Sequence, residues 1–387
     1  MSGAGAPLPR SADVVVVGGG AVGTSVAFHL AEAGVNVLLL ERDGLASGSS
    51  GKPVGGVRAQ FSEPANVALA ARSLRAYADF PRRPGADIGL RQVGYLFLLP
   101  TDAHVAAFAA GLPAQHAHGV PSRLVDLDEA VRLNPYVDPT GYTAAAWSPT
   151  DGWALPGAVV RGYADAAVRL GARVRTGVAV TGTDVRGGVV MAVRTPAGDV
   201  RTSTVVCCAG AWSRSLGDTV GVDLPVTPLR RQIAFSAPLP RPEPDLPFTI
   251  DQGSTFYVHG AGDGLLLGLA DPEQAPGFGR DYDPSWLPTL RAAARRCVPA
   301  LADVPLVDGW AGLYEMTPDR NALIGEATGV SRFLYACGFS GHGFLQAPAV
   351  GEAVRDLVLH REPVVDVRVF HAERFAGEAA LTEAAIV

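Results

Sequence analysis

The apolar pattern opens with Val14-Val15-Val16-Val17, four β-branched residues in a row with no polar face. Such a run reads as a strand buried on both sides. Glycines follow at Gly18, Gly20 and Gly23. Val22, Val26 and Leu30 then recur at helical spacing up to Gly34, which can close a helix. Residues 35–40 are a second apolar strand, and Glu41 comes directly after it. Residues 43–58 are too rich in glycine for either regular element. Val67, Ala70, Leu74 and Tyr77 place a helix over 66–80, ended by Pro81 and Pro84. Residues 95–99 read as a strand, the alanine-rich 104–118 as helical at first, and 126–133 as a short helix cut off before Pro135.

A helix over 157–170 turns through Gly171 into a strand at 173–174. Residues 178–206 read as a β-meander of short strands with glycine turns. It closes on another buried strand from Thr204 and a glycine turn at Gly210. Prolines then separate β-rich segments, with strands inside 224–235 and 255–269. Residues 284–296 form a helix with a basic end. The last third returns to α/β texture, with a strand at 333–336, a glycine loop at 337–343 and a helix at 348–359. No internal repeat or low-complexity linker interrupts the chain. The pattern implies a discontinuous nucleotide-binding domain, 1–87, 150–220 and 325–387. A β-rich domain, 88–149 and 221–324, is inserted twice. The fold class is α/β locally and α+β overall.

The chain has 387 residues, more than one ordinary core fills, so two domains are expected. A 48% hydrophobic content and mean hydropathy of +0.19 indicate a well-buried globular protein. The net charge of −6, without a basic stripe, argues against a nucleic-acid partner. No apolar run reaches bilayer length. Residues 1–11 carry no signal-peptide core and read as a short disordered lead-in. The cysteines, Cys207, Cys208, Cys297 and Cys337, form no CxxC pair. They suit buried free thiols in a reducing cytoplasm, with neither a disulfide framework nor a metal site. Lys52 is the single lysine, a bias of the kind a GC-rich genome gives.

The first motif carries the chemistry. Gly18 allows a tight turn out of the strand, Gly20 lets a pyrophosphate approach bare backbone, and Gly23 lets the helix pack close to the sheet. Ala21 and Val22 open the helix, whose free N–H groups attract phosphate. Glu41 stands where an acid can accept from both hydroxyls of an adenosine ribose. Nicotinamide and flavin dinucleotides share this fingerprint. The next loop, Ser47-Gly48-Ser49-Ser50-Gly51, can wrap a cofactor that stays bound, which favours a flavin.

Five stretches, in order along nearly the whole chain, resemble a known family. They are Gly18 to Glu41, Ser49 to Phe61, Cys208-Ala209-Gly210-Ala211-Trp212-Ser213, Gly312-Leu313-Tyr314-Glu315-Met316-Thr317-Pro318-Asp319, and Gly338-Phe339-Ser340-Gly341-His342-Gly343-Phe344. The family is that of the FAD-dependent D-amino acid, glycine and sarcosine oxidases. The sarcosine oxidase and L-proline dehydrogenase β-subunit branch is the nearest. The resemblance implies a Rossmann-like FAD domain over a mostly antiparallel substrate sheet. It also implies cofactor contacts at Arg42, Ser49, Ser50, Gly51, Lys52, Gly55, Gly56, Val178, Ala209, Gly210 and Trp212, and at Gly312, Gly338, Ser340, Gly341, His342, Gly343 and Phe344.

Gly341-His342-Gly343 leads into the last helix, whose N-terminus can stabilise negative charge on a reduced flavin. Arg58 can grip a substrate carboxylate bidentately, or serve as a structural ion-pair residue. The lysine that partners the similar arginine in monomeric sarcosine oxidase is replaced by Leu345. Tyr257 and Tyr314 match pocket tyrosines and are equally readable as core aromatics. The position of covalent flavin attachment falls at Gly312, so FAD is expected to be non-covalent. The oxygen-activating lysine aligns near Leu266. Lys52 is then the remaining cation for that task, or an exposed lysine on a phosphate loop.

The implied reaction is oxidation of an amine or amino acid, in which hydride leaves the substrate carbon for flavin N5 while the nitrogen lone pair forms an imine. The alternatives are a 2-hydroxy acid, a larger amine metabolite, or a flavoprotein subunit that passes electrons within a dehydrogenase complex. The expected partners are a small amine or amino-acid substrate and either molecular oxygen or another electron acceptor. An oligomer is possible by this reading. A NAD-only dehydrogenase is the remote alternative.

Overall fold

The computed structural model describes residues 7–52, 54–243, 245–376 and 383. Residues 1–6 of the expected lead-in, and the final residues of the segment 325–387 other than 383, lie outside them. The part of the lead-in that is described is tied down. Ser11 forms a bridge with Arg201, and the Arg201 N–H donates to the Arg10 carbonyl at 3.0 Å.

Val14–Val17 forms the expected strand, fully buried. It pairs in parallel with Val37–Leu40 on one side and Thr204–Cys207 on the other. Arg173–Arg175 and Phe333–Cys337 extend the sheet in parallel, and Leu323–Glu326 adds one antiparallel edge. Strands buried on both faces need no polar alternation, which is why four valines suffice. The helices Ala21–Glu32, Pro64–Ala78, Pro156–Arg169 and Gly343–Val358 pack together and cover one face. A small antiparallel sheet of Gly182–Arg186, Val189–Arg194 and Val200–Arg201 supports the other. The expected meander over 178–206 is therefore divided: Thr204–Cys207 leaves it, because a strand buried along its whole length is worth most between two parallel neighbours.

A second sheet has eight strands, in the order Leu306–Met316, Thr227–Ser236, Gly264–Gly268, Tyr257–Ala261, Phe248–Asp251, Tyr95–Leu99, Ala144–Ser148 and Arg123–Val125. Every neighbouring pair is antiparallel except Phe248–Asp251 with Tyr95–Leu99. Leu287–Cys297 packs against one face of it.

The last helix begins at Gly343, five residues before the proline read as its start. Pro348 lies inside it, lacks an N–H, and leaves the Phe344 carbonyl without its helical donor. The Tyr77 hydroxyl donates to that carbonyl instead, at 2.5 Å. The side chain of a neighbouring helix thus makes an internal proline tolerable.

Candidate functional site

A deep cavity runs between the two sheets. On the parallel-sheet side its wall is mostly backbone. Gly18 has φ +114°, and a Cβ there would lie 2.2 Å from the Cys208 carbonyl oxygen. Only glycine can make this turn. A Cβ at Gly23 would meet the Gly18 oxygen at 2.0 Å, so Gly23 serves helix–sheet packing and stands behind the wall. The helix Ala21–Glu32 has no side-chain cap of its own. The Ser50 hydroxyl accepts the Ala21 N–H at 2.9 Å, marking the amide where an anion would be held.

Glu41 is fixed by its own backbone surroundings. One carboxylate oxygen accepts the Gly19 N–H at 2.7 Å and the other the Asp43 N–H at 2.8 Å. Each keeps a further lone pair for a ribose hydroxyl. Arg42 lies over the Trp212 ring at 4.4 Å, with Phe278 stacked on that ring at 5.5 Å. The bare-backbone turn, the helix end and the anchored acid fit an adenine dinucleotide.

The other residues expected at the cofactor divide into two groups. Ala21, Val22, Ser49, Gly55, Gly56, Ala209, Gly210, Gly312, Gly343 and Phe344 line the cavity with Gly20, Ser50 and Lys52. Gly51, Val178, Gly338, Ser340 and His342 do not. The wall beside Val178 is made by Ala179 and Val180, while the Val178 N–H bonds the Glu41 carbonyl at 2.9 Å. Ser340 accepts from the Thr317 N–H at 3.1 Å. Gly338 donates to Glu315 at 3.1 Å, a carboxyl that burial raises to about 7. Glu315 itself lines the cavity and was missed from sequence.

Gly341 lines the cavity at the N-terminus of the last helix, with φ +100°. A Cβ there would enter the Tyr314 ring, 2.5 Å from Cε2. Tyr314 and Tyr257 both face the cavity, and burial raises the pKa of each, so both hydroxyls stay protonated.

Arg58 lies behind the cavity lining. It is 3% exposed and does not line the cavity. Its guanidinium lies 4.1 Å from the Phe61 ring and 5.4 Å from the Phe97 ring. It donates to the Gln60 carbonyl and meets His342 Nε2 at 3.3 Å. His342 precedes the last helix, and burial, then the nearby Arg58, hold its pKa well below the ordinary value. Arg58 therefore braces the loop entering the helix, a job for which the flat cation stacks between aromatic rings. Lys52 is exposed at the rim, its ammonium 5.2 Å from the Trp310 ring, and the Trp310 indole N–H donates to the Lys52 carbonyl at 2.9 Å. Its β-carbon fills the space above Gly312.

Besides Arg42 and Lys52, a third cation lines the cavity: Arg231, on the side of the eight-stranded sheet. Its strand was legible in the sequence, but its facing was not. The available signal was alternation, since Leu229, Arg231 and Ile233 share one face of Thr227–Ser236.

The four cysteines are buried and unbridged. Among the described residues no three His, Cys, Asp or Glu side chains are grouped to hold a metal, and no helix is long and apolar enough to cross a membrane.

A parallel sheet with a glycine cradle, joined across a cavity to an antiparallel sheet with polar aromatic side chains, defines a dinucleotide-dependent oxidoreductase of the flavoprotein type. The chain belongs to the DAO family, FAD dependent oxidoreductase, which it matches over residues 13–357. FAD is the cofactor of that family, as the sequence resemblance implied. The chain is 30% identical over 383 residues to 4-methylaminobutanoate oxidase (formaldehyde-forming) of Paenarthrobacter nicotinovorans, covering 96% of this chain and 46% of that protein. It is 28% identical over 385 residues to the mitochondrial dimethylglycine dehydrogenase of Mus musculus, covering 94% and 44%. The chain thus spans less than half the length of these curated relatives. The solved L-proline dehydrogenase from P. horikoshii superposes with a TM-score of 0.90 at 31% identity, covering 95% of this chain and 99% of that one.

Proposed function

We propose that this chain oxidises the C–N bond of an amine or amino acid with non-covalently held FAD. The observation that carries the reading is the single cavity in which the glycine cradle and helix end at Gly341 face Tyr257, Tyr314 and Arg231. The named substrates of the relatives, 4-methylaminobutanoate, dimethylglycine and proline, are all N-substituted amines, which supports the same class. The same reading includes a division into a cofactor domain, 1–87, 150–220 and 325–387, and a substrate domain, 88–149 and 221–324; what supports it is that the strands of the eight-stranded sheet fall within the latter ranges. Leu323–Glu326 straddles the boundary at 324.

Bound FAD supplies the two-electron acceptor, and the protein supplies placement. The backbone at Gly18 and Gly20, with Ser50, would hold the pyrophosphate, and Glu41 the adenosine ribose. The N-terminus of Gly343–Val358 would present its amides to the flavin edge that gains charge. Tyr314 is pressed against Gly341 and would bound the substrate beside that edge, with Tyr257 next to it. Neither tyrosine titrates near neutrality, so the charge on this wall comes from Arg231 and from Glu315, whose carboxyl burial raises to about 7. Positioning a neutral amine carbon needs no strong base, and none of the tyrosines is asked to act as one.

The electron acceptor is oxygen or a second protein or dye. The oxygen-activating lysine of monomeric sarcosine oxidase aligns near Leu266, which is buried here at 4% exposure. The unbridged thiols suit a reducing, cytoplasmic setting. The test is anaerobic mixing of the FAD-loaded chain with secondary amines, amino acids and 2-hydroxy acids, read as flavin bleaching. Bleaching by amines supports the reading; bleaching by hydroxy acids alone overturns it.

A further inference from the structure

Residues 271–281 follow the strand Gly264–Gly268 and carry no regular element beyond an isolated bridge of Pro276 to Leu229. Their base is fixed to the strand Thr227–Ser236. Arg230 donates through Nε to the Gln274 side-chain oxygen at 2.9 Å and through Nη1 to the Asp281 carbonyl at 3.0 Å. The Gly277 N–H donates to the Pro228 carbonyl at 2.9 Å.

The tip of the segment crosses to the parallel-sheet side. Arg280 Nη1 donates to the Ser47 carbonyl at 3.1 Å. The Phe278 ring stacks on Trp212, with 5.5 Å between centres and 24° between planes, and the Arg280 guanidinium lies 5.8 Å from the same indole. Ser47 and Trp212 both line the cavity, one on the loop after Glu41 and one on the turn after Thr204–Cys207. Phe278 and Arg280 do not line it. They grip two separate pieces of the cofactor wall from outside.

The grip is weak by construction. Phe278 is 48% exposed, and a Cβ added at Gly277 or Gly279, on either side of it, would meet nothing within 4 Å. Packing does not hold this tip; its contacts with Trp212 and Ser47 do. An exposed aromatic pair and a single hydrogen bond each shift an equilibrium by roughly tenfold or less. A closure of that strength opens without unfolding the sheets on either side.

We propose that residues 271–281 are a clasp that gates exchange of the FAD. Closed, it ties the Ser47 loop and Trp212 to the eight-stranded sheet; open, it frees both pieces of wall and lets the cofactor pass. The contacts are made by the protein with itself, so they set how often the wall opens in the empty and the loaded chain alike. Loosening them therefore speeds entry and exit together and leaves their ratio in place. The inference concerns the cofactor only and stands whatever the substrate.

The test measures both rates. Association is followed as quenching of flavin fluorescence when FAD refills the cofactor-depleted chain, and dissociation as its return on dilution of the loaded chain. In Phe278→Ser/Arg280→Met both rates are expected to rise roughly 30-fold, and in each single variant roughly fivefold, with Kd unchanged within about threefold. Arg230→Met, which frees the base and leaves the tip intact, is expected to move both rates in the same direction.

Dissociation that is unchanged in the double variant overturns the inference. Faster dissociation at an unchanged association rate overturns it too, since Phe278 and Arg280 would then add affinity and not gate. The urea unfolding midpoint of the FAD-free double variant is expected to match that of the wild type, because the removed side chains are exposed. A midpoint that falls along with the faster exchange would assign the effect to folding and again overturn the clasp. None of these readouts uses a substrate, so failure of the amine-oxidising reading and failure of the clasp are separate results.

Discussion

The two sheets bound one cavity with different materials. The parallel sheet offers backbone: a turn at Gly18, a helix end at Ala21 and amides that fix the Glu41 carboxylate. The antiparallel sheet offers side chains: Arg231, Tyr257 and Tyr314, projecting from three different strands. Backbone recognition depends on residues that are absent, since any Cβ would collide. Side-chain recognition depends on residues that can be exchanged with the strand left intact. The first wall is therefore rigid in sequence and suited to a constant cofactor. The second can be altered without refolding the sheet and suits a variable substrate.

The largest break is expected on the backbone side. Gly18→Val places a branched side chain against the Cys208 carbonyl at a left-handed φ. The variant should lose its FAD and about 4 kcal/mol of stability, read as the flavin-to-protein absorbance ratio and as a urea unfolding midpoint.

The junction between the walls is sensitive to pH. Asp151 is fully buried, and burial raises its carboxyl to about 7 against an ordinary value of 3.8. The native carboxyl therefore keeps a proton that the unfolded chain has already released. Its stabilising contribution is whole below about pH 4 and is lost as pH rises through 7. Asp151→Asn stays neutral and should flatten that decline, leaving the variant more stable than wild type at pH 8 by on the order of 3 kcal/mol. A parallel fall in both proteins over pH 4–8 would place the titration elsewhere.

Glu41→Gln keeps the size but removes one acceptor from the ribose site and from the Gly19 and Asp43 amides. FAD affinity should weaken by roughly tenfold, measured by fluorescence on refilling the cofactor-depleted chain. The smallest effect is expected at Lys52→Ala. It removes one exposed cation from Trp310 and should change thermal stability by less than about 1 kcal/mol.

The same contrast explains what could be read from sequence. The valine run, the three glycines, the first helix and Glu41 are local in the chain, and each constrains the next. The cofactor wall was legible from them. The substrate wall was not, because its facing is set by register. Arg231 faces the cavity because Thr227–Ser236 pairs with Leu306–Met316 and brings Gly312 opposite. Its neighbour Arg230 points elsewhere, to Gln274, and the sequence gives both residues the same chemistry. Arg58 sits in a motif shared with substrate-binding arginines, but the rings of Phe61 and Phe97 that capture it come from separate segments. The start of the last helix was misplaced for a related reason, since Pro348 is accommodated by Tyr77 from another helix.

The most direct test is a crystal structure of the FAD-loaded chain with acetate. The account expects the flavin ring against the Gly341 backbone with one edge toward the last helix, and acetate on the opposite wall beside Tyr257 and Tyr314. A ring lying on the eight-stranded sheet away from Gly341, or acetate bound among the backbone amides at Gly18 and Gly20, would contradict the division of labour between the two walls.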